Sequence, residues 1–165
     1  SSDLAQLNSS YDLFLNSEEV DVSLVMTGAA PQVVSEHVLE NVVGVRKDCV
    51  GFISPDMSDV VDNAGNEVSD IVAKIDLYNS TSFGVFDSNW KKQFDKYNNV
   101  YRWVPLNGDI AGLCARTDYD RDPWFSPAGF NRGQIKNVVK LAWNPTKAQR
   151  DDLYKNNIKI GRAHV

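Results

Sequence analysis

The chain has two cysteines, two histidines, no apolar run long enough to cross a bilayer, and a first half almost without positive charge. Cys49 lies in a strand-like run and Cys114 in a helix-like one. Neither has metal-ligand spacing or a histidine close in sequence, so both read as buried free thiols. No GxGxxG, Walker loop, GxSxG or HExxH pattern occurs, and the common nucleophile–base pairs have one usable histidine, His37, to draw on. His37 falls on an apolar helical face and reads as a core or boundary residue. The longest apolar run, Val20 to Met26, contains Asp21 and Ser23 and is far short of the roughly 20 residues that span a membrane. No membrane segment or signal peptide is expected.

The acidic residues do not supply a site either. Asp56, Asp59 and Asp62 are spaced by three but lack the glycine and terminal glutamate of an EF-hand loop. Asp118, Asp120 and Asp122 alternate with Arg121 and read as a solvated loop. General acid–base work needs burial that shifts a pKa, which a sequence does not display. No enzyme activity, catalytic residue, metal or cofactor is expected. With a net charge of −5 and no recognised module, nucleic acid is not an expected partner.

What is present suits one folded domain: 165 residues, 42% hydrophobic and 24% charged. Charge is strongly divided. Residues 1–88 hold 15 Asp/Glu against 3 Lys/Arg, a net of −12, and residues 89–165 hold 7 against 14, a net of +7. Two solvated faces of opposite sign are one reading. A polar subunit that packs head to tail is the other, and such heterologous contacts generate rings or filaments.

Leu4, Leu7, Tyr11 and Phe14 recur at helical spacing, and a strand-like run follows from Val20 to Thr27. Val34, His37, Val38 and Val42 mark a second helix, which Gly44 would end before a strand over Cys49 to Ser54. This is a β-α-β pattern with strands that alternate little, as parallel strands covered on both faces do. Val68, Ile71, Val72, Ile75 and Tyr78 give another helix, and Phe83 to Phe86 a short strand. Tyr97 to Val104 straddles Asn98 and Asn99 as a hairpin tip. Asp109 would cap a helix containing Ile110, Leu113 and Cys114, and Thr146 a final charged helix. Ile135 to Trp143 reads as a strand with Ile135, Asn137, Val139 and Leu141 on one face. The fold class expected is α/β, a mixed sheet flanked by helices.

The segment Trp124 to Ile135, WFSPAGFNRGQI, groups residue types that folding alone would not bring together. Pro127 disfavours helix at Ser126, and Gly129 and Gly133 permit backbone angles that other residues avoid. Trp124, Phe125 and Phe130 are too apolar for a solvated linker, so the rings should be buried, either by closing the core beneath the sheet or against a neighbouring subunit. Arg132 supplies a cation between the two glycines.

Five blocks in order carry a family resemblance: VDVSLVMTG (Val20 to Gly28), VRKDCVGFISP (Val45 to Pro55), FDKYNNVYRWVPLNGDIAGLCARTD (Phe94 to Asp118), WFSPAGFNRGQIKNVVKLA (Trp124 to Ala142) and AQRDDLYKNNI (Ala148 to Ile158). The chain resembles the tail sheath proteins of contractile-tailed bacteriophages, nearest those of T-even-like myoviruses. Asp56 to Tyr78 departs most from that pattern. The resemblance implies a structural subunit that polymerises helically around the tail tube and contracts to drive the tube through the host envelope during genome delivery. It implies the inner, more uniform domain of that subunit, without the terminal arms that add strands to neighbouring sheets, and therefore with an unpaired sheet edge.

The implied partners are other copies of the subunit, the tail tube protein, and the baseplate and tail terminator proteins. The implied location is the virion tail, after assembly in the host cytoplasm. Arg132, Lys136, Lys140, Lys147, Arg150 and Lys155 are the candidate contacts to an acidic tube or to the acidic half of a neighbour. A sheath from a related contractile injection apparatus, of bacteriocin or secretion type, is the alternative, and an unrelated α/β enzyme a more distant one. The chain opens on Ser1 inside a helical pattern and is expected to be a fragment. Lys159 to Val165, KIGRAHV, resembles the translation of a sequencing adapter, AAG ATC GGA AGA GCA CAC GTC, so the domain is expected to occupy residues 1–158 and that tail, with His164, to be non-native.

Overall fold

A computed structural model describes residues 2–129 and 132–158; Phe130, and the segment read as an adapter-derived tail, lie outside the described residues. Helix α1 (Ser2–Asp12) lays Leu4 and Tyr11 on a cluster of Val34, Val38, Val43 and Cys49. The β-α-β unit forms as its spacing indicates. Strands β1 (Leu24–Met26) and β2 (Val50–Ile53) are parallel, with Val25 opposite Gly51, and β3 (Gly84–Phe86) joins β2, also parallel, in the order β1-β2-β3. The first strand is shorter than expected, because Val20 is held in a turn by its N–H bond to Asn16.

The connecting helix begins as α2 (Gln32–His37), widens into a π-helical stretch over Val38–Val43 and ends as α3 (Gly44–Arg46). Gly44, expected to stop it, stays helical at φ −66°, and its N–H reaches back to the Leu39 carbonyl. Lys47, at φ 60°, is the stop. The wide turn also delivers Leu39 to the sheet, where Gly51 and Gly84 are direct partners on adjacent strands. A Cβ at Gly51 would lie 2.8 Å from Leu39 Cδ2, and one at Gly84 3.2 Å from it. The two bare strand positions thus form a slot that the leucine fills.

The acidic loop holds a helical turn that spacing did not reveal, α4 (Met57–Val60). Asp56 and Asp59 form a reciprocal capping box around it, and Asp56 also accepts from Lys74 Nζ at 2.6 Å. Helix α5 (Glu67–Ile75) then buries Ile71 completely.

The α/β class is as read, but the parallel and antiparallel pairings occupy two three-stranded sheets instead of one. In the second sheet β4 (Trp90–Asp95) runs between β5 (Val100–Pro105) and β6 (Lys140–Leu141), antiparallel to both. The hairpin's first strand lies before Tyr97, since the Asp95 carboxylate gathers the N–H groups of Tyr97 and Asn98 into the turn and Asn99 sits at φ 53°. The strand expected over Ile135 to Trp143 shrinks to two residues. Asn137 at φ 56° breaks its alternation, leaving Val139 exposed while Ile135 and Leu141 are buried.

Helix α6 (Asn107–Asp120) starts two residues before its expected cap: Asp109 lies in its first turn, where it accepts from Lys91 Nζ at 2.7 Å. Helix α7 (Lys147–Lys155) is capped as expected, with the Thr146 hydroxyl accepting from Gln149 N–H and the Gln149 amide oxygen from Thr146 N–H. The main core joins Leu39, Ile53, Val60, Ile71, Phe86, Trp90, Trp143, Leu153 and Ile158. A smaller one, of Leu106, Ile135 and Leu141, lies between the second sheet and α6.

The seam between the sheets is polar. From β3 to β4 the chain passes through Asp87, Ser88 and Asn89, all buried. Asn89 Nδ2 donates to the Trp143 carbonyl, Trp143 Nε1 to the Ser88 carbonyl, and Trp90 Nε1 to the Pro55 carbonyl, each at 2.8–2.9 Å. Asp87 accepts from Ser54 Oγ at 2.6 Å and from Asn89 N–H at 3.1 Å, while Ser54 Oγ accepts from the Asn107 N–H. Burial pushes the Asp87 carboxyl up to about 8, and the charge of Asp109 adds to the rise.

Candidate functional site

Strand alternation gives the second sheet two unlike faces. Lys91 and Leu141 are partners across β4 and β6 and face α6, where Lys91 meets Asp109 and Leu141 packs with Leu106, Ile110 and Leu113. The other face runs from buried Trp90 at its base through Lys92 to Phe94. In register beside it stand Trp103 and Tyr101 on β5 and Lys140 on β6. Trp103 packs partly against the main core, so this face begins inside the fold and runs out into solvent.

On that face Lys92 Nζ lies 5.7 Å and Lys140 Nζ 5.4 Å from the centre of the Trp103 ring. Phe94 and Tyr101, 47% and 59% exposed, contact each other at 5.1 Å in tilted geometry. An ammonium over an indole face gains about 0.5–1 kcal/mol at exposed sites. Lys140 was among the candidates read from sequence. Lys92 was not, because the apolar spacing marks no strand over Trp90 to Asp95, although WKKQFD alternates Trp90, Lys92 and Phe94 against Lys91, Gln93 and Asp95.

The loop after α6 is shaped by its glycines and by Arg132. Gly129 adopts φ +149°, Gly133 N–H donates to the Gly129 carbonyl at 2.8 Å, and a Cβ at Gly133 would come within 3.1 Å of that same oxygen. Arg132 stacks over the Phe125 ring at 4.6 Å and donates to the Ala128 carbonyl, while Arg116 holds the Arg132 carbonyl. Phe125 and Pro127 are partly buried, but Trp124 is 78% exposed. The core-closing alternative therefore fails for Trp124: folding the described chain leaves its indole in water, touching Phe125 at 5.6 Å.

The six candidate cations do not form one patch of equal standing. Arg132 is engaged within its loop, Arg150 is partly buried and donates to the Pro145 carbonyl at 2.8 Å, and Lys155 lies 3.5 Å from Asp152 on its own helix. Lys136 and Lys147 are exposed, and the Lys136 carbonyl accepts from Lys91 Nζ. Elsewhere, a hollow of about 280 Å³ opens beside β3, lined by Leu39, Ile75, Asp76, Tyr78, Phe86 and Asn157 among others. Burial pushes the Tyr78 phenol up to about 12, which keeps it protonated and removes it as a base at neutral pH. His37 pairs with Asp12 at 2.7 Å at the boundary between α1 and α2.

The family described as phage tail sheath protein, central domain, matches residues 8–163, which takes in five residues of the segment read as an adapter. Among curated proteins the chain is 45% identical to the tail sheath protein of Vibrio phage KVP40, over 89% of its own length and 25% of that protein. It is 42% identical to that of Enterobacteria phage T4, covering 92% of itself and 26% of the relative. It is 35% identical to that of Salmonella phage ViI, covering 87% and 23%. The chain thus spans about a quarter of the length of these relatives. Among solved structures, a chain of the anti-feeding prophage baseplate superposes with a TM-score of 0.62 at 15% identity, over 93% of this chain and 37% of that one. That likeness is one of fold.

Proposed function

The chain belongs to the phage tail sheath family, and from that premise we propose that it is the inner α/β part of a larger subunit that polymerises around a tail tube and contracts to drive the tube through the host envelope. The family match across residues 8–163 carries the reading. Its partners in this reading are further copies of itself, the tube protein, and the baseplate and terminator proteins that bound the cylinder. Assembly takes place in the host cytoplasm, before the tail becomes part of the virion. The exposed cations Lys136, Lys140 and Lys147 are the first candidates for contacts that hold register yet release, since an exposed ion pair contributes about 0–1 kcal/mol.

No catalytic step is required. Contraction in this scheme is a change of packing between bodies that each keep their shape, driven by the better-buried lattice. Leu39 seated between Gly51 and Gly84 and the bonded seam at Asp87 to Asn89 support treating this domain as such a body. A contractile injection apparatus is the second reading, favoured by the likeness to an anti-feeding prophage chain. The identities of 35–45% to phage sheaths weigh for the first.

Electron microscopy of the full-length protein, expressed alone, tests the proposal. Hollow striated cylinders are expected. Discrete monomers or small closed oligomers would overturn it.

A further inference from the structure

We propose that the lysine–aromatic face of the second sheet is one half of a head-to-tail contact between copies, and that it docks on the acidic, aromatic end of α6 of the next subunit. The proposal rests on the sheath reading and assigns the surfaces that would make the assembly.

On the first surface, Lys92 and Lys140 are direct partners across β4 and β6, and both ammonium groups lie within 6 Å of the Trp103 ring centre. Neither has a carboxylate within 4 Å among the described residues, unlike Lys91 on the opposite face, which has Asp109. The ring holds the two charges in place without neutralising them, so a carboxylate arriving from outside would meet ordered cations and little side-chain freedom would be lost. Phe94 and Tyr101 continue the face as exposed apolar area, the composition of an interface centre.

On the second surface, α6 ends in Asp118, Tyr119 and Asp120, and the following turn adds Asp122 and Trp124. Tyr119 is 92% exposed and Trp124 78%. The three aspartates are exposed and outnumber Arg121 among them, so the ridge carries net negative charge beside two unburied rings. Opposite charge and matching aromatic content make the two surfaces complementary.

Their placement matters as much as their charge. The first half of α6 packs on the Lys91 and Leu141 face, so the helix that carries the ridge lies on one side of the second sheet and the lysine–aromatic face on the other. Two different complementary patches on opposite sides cannot satisfy each other in a two-fold dimer. Each joined pair leaves one patch of each kind free, and the contact repeats along a growing array. A single-stranded nucleic acid would also suit lysines among aromatic rings. The net charge of −5, with −12 in the first 88 residues, opposes a polyphosphate and favours a protein carboxylate surface.

The test uses full-length protein carrying Lys92→Glu with Lys140→Glu, Asp118→Lys with Asp120→Lys, or all four changes in one chain. Assembly is followed by sedimentation and microscopy at low and raised salt, and thermal melting checks that each variant is folded. Either pair alone should lose polymer at concentrations where the wild type assembles, and the four changes together should restore it. If a charge reversal prevents folding, the milder pair Lys92→Gln and Lys140→Gln replaces it and should weaken assembly in the same direction. Folded single-pair variants that polymerise like wild type would overturn the docking, as would a folded four-fold variant that stays unassembled. A fluorescent single-stranded oligonucleotide that binds wild type but not the Lys92 and Lys140 variant would overturn it too. A wild type that never polymerises refutes the sheath reading and this contact together, whereas wild-type cylinders with inert charge pairs refute the contact alone.

Discussion

Asp87→Asn should change how stability depends on pH, by an amount the seam makes calculable. In the folded chain the carboxyl is 1% exposed and its pKa stands at about 8, well above the ordinary carboxylate value of 3.8. Between those two values the unfolded chain has released the proton and the folded chain still holds it. Unfolding therefore releases about one proton at this site, and stability falls as pH rises through that window. Each pH unit costs about 1.4 kcal/mol, so from pH 5 to pH 7 the site should remove roughly 3 kcal/mol, flattening above about pH 8. The amide keeps an oxygen for the Asn89 N–H but does not titrate. Urea unfolding of both chains at several pH values is the assay. Subtraction cancels shared groups such as Asp95, which Asn98 and Arg102 hold down at about 2 and which acts only in strong acid. The wild-type minus variant difference should slope downward by that amount. Parallel curves would show that Asp87 ionises in the folded chain without hindrance, and the account of the seam would be wrong.

Gly51→Ala should destabilise by about 1–3 kcal/mol through overpacking, since the new methyl would lie 2.8 Å from Leu39 Cδ2. Leu39→Ala should cost about 2–5 kcal/mol, and the double variant less than the sum because the added methyl enters vacated space; additive urea-unfolding values would refute the slot. Trp124→Ala should leave stability within about 0.5 kcal/mol, as for other exposed substitutions, while full-length protein carrying it assembles poorly. A large loss of stability on thermal melting would mean that the indole packs within the subunit after all.

Periodic features were the legible ones. Ile71 with Val68, Val72 and Ile75 announces α5, and Thr146 announces the start of α7, because both signals lie within one or two helical turns. The failures share a cause in backbone geometry that no apolar spacing records. Asn137 and Lys47 adopt left-handed angles that end a strand and a helix at unexpected places, and the π-helical stretch keeps Gly44 inside the helix it was expected to stop. The seam was hidden for a different reason. Asp87, Ser88 and Asn89 look like a polar turn, and their burial follows only from Ser54, Asn107 and Trp143, which are brought to them by chain far away in sequence. At the candidate interface, Lys140 could be nominated by charge, but its partnership with Lys92 and Trp103 needed the register of three strands.

The main core also sets an order of events during synthesis. Its members run from Leu39 to Ile158, and the last two, Leu153 and Ile158, are fully buried against residues made much earlier. While α7 is still inside the ribosome, Ile71, Phe86 and Trp90 have emerged without the helix that covers them. A nascent chain stalled before Leu153 therefore presents bare aromatic and aliphatic surface to its neighbours on the same message, and the interval until α7 appears is when chaperones matter most to it.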